Sequence, residues 1–290
     1  MIRRTTAGRL AVTAALALLT AAAPAFAEPA PAAVNDWSCT PSAANPRPVV
    51  LAHGTGSSSA ANWVTLAPLL SAAGYCVFAF DYGETPASLG IFKGLGDIPA
   101  SARTMSDFVD RVLERTGAEK VDVVGHSQGG GVLPNYYIKR LGGAAKVHAL
   151  VAMAPSNHGT TTFGLAGLAG ALGLTDPLAG MFGVLQTPAF AQQSIASPVV
   201  TELYADGDTV PGVRYAVIQT RNDAVITPYT NAFLSGGDVT NILLQDRCPG
   251  DPVGHIGMYK DGPTMQYILN LLGPNDPGFA PDCTGYGPGI

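Results

Sequence analysis

Apolar residues fall in two rhythms along this chain. Short unbroken runs rich in β-branched residues recur: Pro48-Val49-Val50-Leu51-Ala52, Cys76-Val77-Phe78-Ala79-Phe80 and the run that opens at Val121. Further runs span 147–154, 213–219 and 239–244. Runs of this length and composition predict strands buried on both faces. Between them lie stretches with helical spacing. Residues 62–73 place Trp63, Leu66, Leu69 and Leu70 on one side before Gly74 stops the turn. Residues 101–116 do the same with Met105, Phe108, Val109, Val112 and Leu113. A helix is expected after Ser127 to about Leu141, with Pro134 kinking it or tightening an early turn. A last one is expected over 264–272.

Apolar strands alternating with amphipathic helices predict an α/β fold with a mostly parallel central sheet and helices on both faces. Ligands of such sheets bind beyond the C-terminal strand ends. One stretch breaks the rhythm. Phe163 to Leu185 is apolar, with Asp176 its only charge, inside an insertion near 160–200. Asp176-Pro177 and repeated glycines make it a poor membrane span. Two readings stay open: a buried insertion, or a flap bordering the site and meeting a lipid-like substrate.

The ends of the chain change the picture next. Arg3, Arg4 and Arg9 precede an apolar stretch from Leu10 to Ala23, and Ala25-Phe26-Ala27 has the small-x-small form of a cleavage site. Residues 1–27 are expected to be a secretory signal peptide, and residues 28–290 one domain of an extracellular protein. Loss of three arginines would carry the formal charge from −5 to −8. An acidic surface argues against nucleic acid or anionic membrane as the main partner. The four cysteines, Cys39, Cys76, Cys248 and Cys283, form an even set in an exported chain and point to two disulfides. Three pairings exist; local order favours Cys39–Cys76 and Cys248–Cys283. No two cysteines lie close in sequence, so a cysteine metal site is a weak rival.

The chemistry centres on Gly125-His126-Ser127-Gln128-Gly129. A β-branched strand enters it and a helical segment leaves it, the context of a nucleophile elbow. A serine hydroxyl needs an adjacent base. In this architecture the order is serine, acid, histidine. His148 opens a strand and is read as structural; His158 follows a strand end and is read as a candidate pocket-lining residue that comes too early in the order to be the base. His255 sits in a loop after the last strand and before the closing helix, and is taken as the base. Asp223, beyond the strand 213–219, is taken as the acid, with Asp246 its rival. Asp206 and Asp208 read as turn residues; two carboxylates are thin grounds for a calcium loop. The oxyanion donors are expected from Gln128, after the nucleophile, and from Thr55 in His53-Gly54-Thr55-Gly56, whose hydroxyl adds a third bond.

Taken together, the block from Gly125 through Pro134, Tyr136, Tyr137 and Leu141-Gly142-Gly143 resembles the secreted actinobacterial class 2 lipases of the α/β-hydrolase superfamily. Ala154-Pro155-Ser156-Asn157-His158-Gly159-Thr160, the Gly54-Thr55 loop, the segment from Asp223 to Pro228 and the Gly254-His255 loop extend the similarity over most of the mature chain. The resemblance implies an α/β-hydrolase fold and an extracellular lipase or esterase with no organic cofactor and no catalytic metal. Its expected partner is a lipid or other hydrophobic ester met at a lipid–water interface, without stable membrane insertion, and its expected state is monomeric. A polyesterase or cutinase-like enzyme is the alternative in the same class, and a catalytically dead hydrolase used for binding is the alternative outside it.

Overall fold

The computed structural model describes residues 34–88, 90–171 and 187–290. The expected signal segment 1–27 and residues 172–186 of the apolar insertion lie outside the described residues. Strands β1 (Val49–Ala52), β2 (Val77–Phe80), β3 (Val121–His126), β4 (Val147–Met153), β5 (Arg214–Gln219) and β6 (Val239–Leu243) form one sheet in the order β2-β1-β3-β4-β5-β6. Every pairing is parallel. This is the α/β architecture that the alternating pattern predicts.

Burial follows the two-residue period of a strand. In β1, Val50 and Ala52 face a core shared with Phe78, Met105, Val109, Val112, Leu133 and Tyr137. Val49 and Leu51 face the opposite core, with Leu66, Leu70, Met265, Ile268 and Leu271. The first core is covered by helices α3 (Ile98–Thr116) and α4 (Val132–Arg140), the second by α2 (Leu66–Ala72) and the last helix, Gly262–Leu272. A strand buried on both sides can be apolar throughout, which explains the unbroken runs of β1 to β5; β6, expected to be buried likewise, is the sheet's edge and leaves Thr240 and Asn241 exposed.

Element boundaries differ from expectation where capping chemistry intervenes. The helix predicted over 62–73 is two pieces, α1 (Ser59–Asn62) and α2, the first capped by the Ser58 side chain on the Ala61 N–H. Helix α3 begins three residues before the predicted start at 101, because Asp97 caps the Ala100 N–H and Pro99 fits the first turn. The segment after Ser127 is a 3₁₀ turn, Ser127–Gly129, followed by α4, which places Pro134 in the first turn. There its missing N–H has no intrahelical acceptor to lose, so no kink is needed.

Both disulfides connect as local order favours. Cys39–Cys76 pins the arm before β1 to the start of β2, and Cys248–Cys283 joins the loop after β6 to the segment after the last helix. Asn35 supports the first bridge: its amide donates to the Ala79 carbonyl at 2.9 Å and accepts from the Ala79 N–H at 2.8 Å. The arm thereby covers an edge strand that would otherwise offer bare backbone groups. Among the described residues, no helix is long and apolar enough to cross a membrane.

The sheet order reverses between β1 and β3. The chain leaves β1 to form β2 on one side and returns to place β3 on the other. Ala52 lies level with Gly125 in the register, so the loops after β1 and β3 leave the sheet side by side. Such a switch point opens a crevice beyond the strand ends.

Candidate active site

Ser127 follows β3 directly and holds φ at +57°, the left-handed region that a residue with a Cβ seldom occupies. The turn can be this sharp because its neighbours lack side chains. A Cβ on Gly125 would enter the Gly129 main chain, and one on Gly129 would enter the carbonyls of Ala52 and His53. Helical turn and strand end therefore touch backbone to backbone, and Ser127 stands at the β1–β3 switch point.

The other two expected residues arrive at the same edge from far along the chain. His255 Nε2 lies 3.0 Å from Ser127 Oγ, and His255 Nδ1 lies 2.9 Å from Asp223 Oδ2. Asp223 follows β5 in a tight turn, and its Oδ1 accepts the N–H groups of Val225 and Ile226, both at 2.8 Å. Oδ1 is thus committed to the backbone and Oδ2 to the histidine. A carboxylate only accepts, so His255 carries its proton on Nδ1 and offers a bare Nε2 to the serine hydroxyl. All three groups are buried.

Thr55 follows β1 as expected. Its Oγ1 accepts amide protons from Gln128 Nε2 at 3.1 Å and from Gln193 Nε2 at 2.9 Å. Gln128 Nε2 also donates to the Gly94 carbonyl at 3.0 Å. With both lone pairs engaged, the hydroxyl proton of Thr55 must point elsewhere. The main-chain N–H of Gln128 lies in the first turn after the nucleophile, where no acceptor exists within the turn itself. Thr55 and Gln128 stand on the loops that leave β1 and β3 side by side.

The remaining sequence candidates are engaged with other partners. The Asp246 carboxylate is largely exposed and pairs with Arg221 at 3.4 Å. His148 bonds buried Asp122 at 2.8 Å, and Arg47 bonds the same carboxylate at 2.9 Å, so His148 is structural as expected. His158, read as bordering a strand end, bonds Asp208 at 2.9 Å, and Asp208 also accepts from Ser235. Asp206 pairs with Arg140. Among the described residues, no group of three histidine, cysteine or acidic side chains converges as a metal site. A groove of about 390 Å³ at the outer edge of β6, lined by Asn241, Asp246, Tyr267 and Asp276, contains none of the clustered residues.

Several residues near the cluster carried no sequence signal. Gln193 lies in the insertion, after helix Pro188–Gln192, with no motif around it. His53 and His126 were legible only as flanking positions. Burial holds the His53 imidazole down to about 4 and that of His126 down to about 3. His53 Nδ1 donates to the Gly54 carbonyl at 2.8 Å, and its ring stacks on Tyr82 with centroids 4.4 Å apart.

These two neutral rings make the fold acid-sensitive. The unfolded chain takes up a proton on each near pH 6.5, whereas the folded chain resists until about 4 and about 3. The unfolded state therefore binds more protons as pH falls below about 6.5, and stability declines through that window. At pH 5 each ring is expected to cost on the order of 2 kcal/mol relative to pH 7. Urea unfolding at the two pH values checks this; equal midpoints would refute it.

Comparison with known proteins agrees with this architecture. Residues 47–191, half of the chain, match the alpha/beta hydrolase fold family. Among solved structures, lipase B of Aspergillus fumigatus is similar over 80% of this chain and 54% of its own, with a TM-score of 0.62 and 22% identity. This chain thus spans about half of that lipase, and the likeness is one of fold. A pyrethroid hydrolase from Sphingobium faniae JZ-2 is similar over 80% of this chain and 98% of its own, with a TM-score of 0.49 and 17% identity. A parallel sheet with a serine-bearing turn at its switch point, together with the family match, places this chain in the alpha/beta hydrolase fold family.

Proposed function

We propose that this protein is a secreted serine esterase of the class 2 lipase type, hydrolysing carboxylic esters of triacylglycerols and related lipids through an acyl-enzyme. The observation that carries the proposal is the relay from Asp223 through His255 to Ser127, with contacts of 2.9 and 3.0 Å. In it, His255 Nε2 takes the Ser127 proton as Oγ attacks the ester carbonyl. Asp223 holds the imidazole in the required tautomer and stabilises the imidazolium. The N–H groups of Thr55 and Gln128 and the Thr55 hydroxyl hold the oxyanion. The imidazolium then gives its proton to the departing alcohol. Water, deprotonated by the same nitrogen, cleaves the acyl-enzyme and returns the serine.

A hydrophobic ester suits two exposed apolar side chains on the same end of the sheet as Ser127. Phe163 in α5 (Thr162–Ala171) is 88% exposed, and Ile91, on the loop after β2, is 67% exposed. Both belong to segments that leave C-terminal strand ends, the side on which Ser127 stands. Two disulfides accord with an oxidising compartment, and residues 1–27 carry the pattern of an export signal. Residues 28–290 then form the mature domain, working as a monomer without cofactor.

Initial rates on p-nitrophenyl acetate, butyrate, octanoate and palmitate, beside clearing of a tributyrin emulsion and erosion of a polyester film, test this reading. The expected result is saturable hydrolysis that favours the longer soluble esters and clears tributyrin. Film erosion without clearing would transfer the protein to the polyesterases. No hydrolysis of any ester, with no fluorophosphonate labelling of Ser127 in folded protein, would leave only a binding role.

A further inference from the structure

His126 is the last residue of β3 and immediately precedes the nucleophile. Its ring is buried among three parts of the site. Nε2 lies 3.0 Å from the main-chain oxygen of His255. A carbonyl only accepts, so Nε2 carries the proton and Nδ1 is bare. Nδ1 is buried and meets no hydrogen-bond partner. It faces the oxyanion loop, where a Cβ on Gly54 would stand 2.9 Å from it. The ring also packs against the His255 ring, with centroids 5.0 Å apart, and edge-on against Tyr259 at 5.4 Å.

The loop that carries His255 is held from a second side. The main-chain oxygen of Ile290 accepts from Ile256 N–H at 2.7 Å and Gly257 N–H at 3.1 Å, and that of Pro288 from Gly254 N–H at 3.1 Å. Those bonds fasten the loop to the segment after Cys283. The bond from His126 fastens it toward the nucleophile. Packing alone does not explain an imidazole here, because an apolar side chain would fill the space without leaving a buried nitrogen that no protein group meets. What the imidazole adds is one N–H directed at His255. Burial keeps the ring neutral, and the His255 carbonyl selects the Nε2–H tautomer.

We propose that His126 is a positioning residue for the base: its Nε2–H holds the His255 main chain at the distance from which the imidazole reaches Ser127. The bond runs from the residue before the nucleophile to the backbone of the base itself, so one short link sets the spacing of the reacting pair. This inference rests on the serine-esterase reading.

His126→Met and His126→Gln test it as a pair, since both have similar length and only glutamine retains a donor near Nε2. His126→Met is expected to lower kcat by about 10- to 100-fold with KM little changed, the scale of a small misplacement of a catalytic group. His126→Gln is expected to restore most of that loss. Wild-type kcat in the methionine variant, or an equal loss in both folded variants, overturns the proposal. A merely structural role would lower the melting temperature of both and leave their kcat intact. Nitrogen-15 histidine spectra of the wild-type protein decide the bond independently of turnover: His126 must carry its proton on Nε2, and the Nδ1–H tautomer overturns the proposal even if neither variant folds. Absence of turnover and fluorophosphonate labelling in the wild-type protein would instead defeat the esterase reading, and the spectra would still report on the bond.

Discussion

Ser127→Ala is expected to lower kcat on p-nitrophenyl butyrate by roughly 10⁶, close to the loss of the whole relay, because the groups act as a unit. Without Oγ there is no acyl-enzyme, and His255 Nε2 is left facing water. The residual rate should show no burst and should not respond to fluorophosphonate. The fold should survive, since alanine has the same Cβ that already sits at φ +57° in the native turn. A native circular dichroism spectrum with turnover within tenfold of wild type would defeat the assignment of Ser127.

Asp223→Asn should cost on the order of 10⁴ in kcat while leaving binding and fold largely intact. The direction follows from how the carboxylate is held. Oδ1 accepts two backbone N–H groups, from Val225 and Ile226. An asparagine must keep its carbonyl oxygen there, which turns its NH₂ toward His255 Nδ1. That nitrogen then has to accept, and the imidazole proton moves to Nε2. In this tautomer Nε2 can no longer receive the serine proton. Asp223→Ala would remove the carboxylate without imposing the tautomer, so its loss should be the smaller of the two. A fully active Asp223→Asn enzyme, or an Asp246→Asn enzyme with the 10⁴-scale loss, would move the acid elsewhere.

Much of the fold is legible in the pattern of residues. The β-branched runs located all six described strands; in β1 to β5 a strand covered on both faces has no solvent side to mark with polar residues, whereas the edge strand β6 exposes Thr240 and Asn241. Helix starts were less legible. Asp97 and Ser58 act through single side-chain bonds to backbone N–H groups, and neither leaves a periodic trace. The 3₁₀ turn after Ser127 was also hidden; close packing of Gly125 against Gly129 selects it.

The candidate site divides in the same way. Ser127 announces itself, because a strand, a tight turn and a helix are all encoded within a dozen adjacent residues. His255 and Asp223 follow from chain order and strand ends. Gln193 does not, since its bond to Thr55 joins residues 138 apart with no motif at either end. The same holds for His126, whose partner lies 129 residues away.

The order of residues by itself determined the alternation of strand and helix, the serine turn, the even cysteine set and the few carboxylates and histidines that can stand at strand ends after Ser127. Those are local matters: period, turn chemistry and residue type act between near neighbours. Only the tertiary structure decided which carboxylate meets which imidazole, which tautomer results, and which side chains hold Thr55. Such contacts depend on sheet order and register, which bring distant strand ends level, and on the removal of water, which obliges each buried polar group to find a partner across the fold.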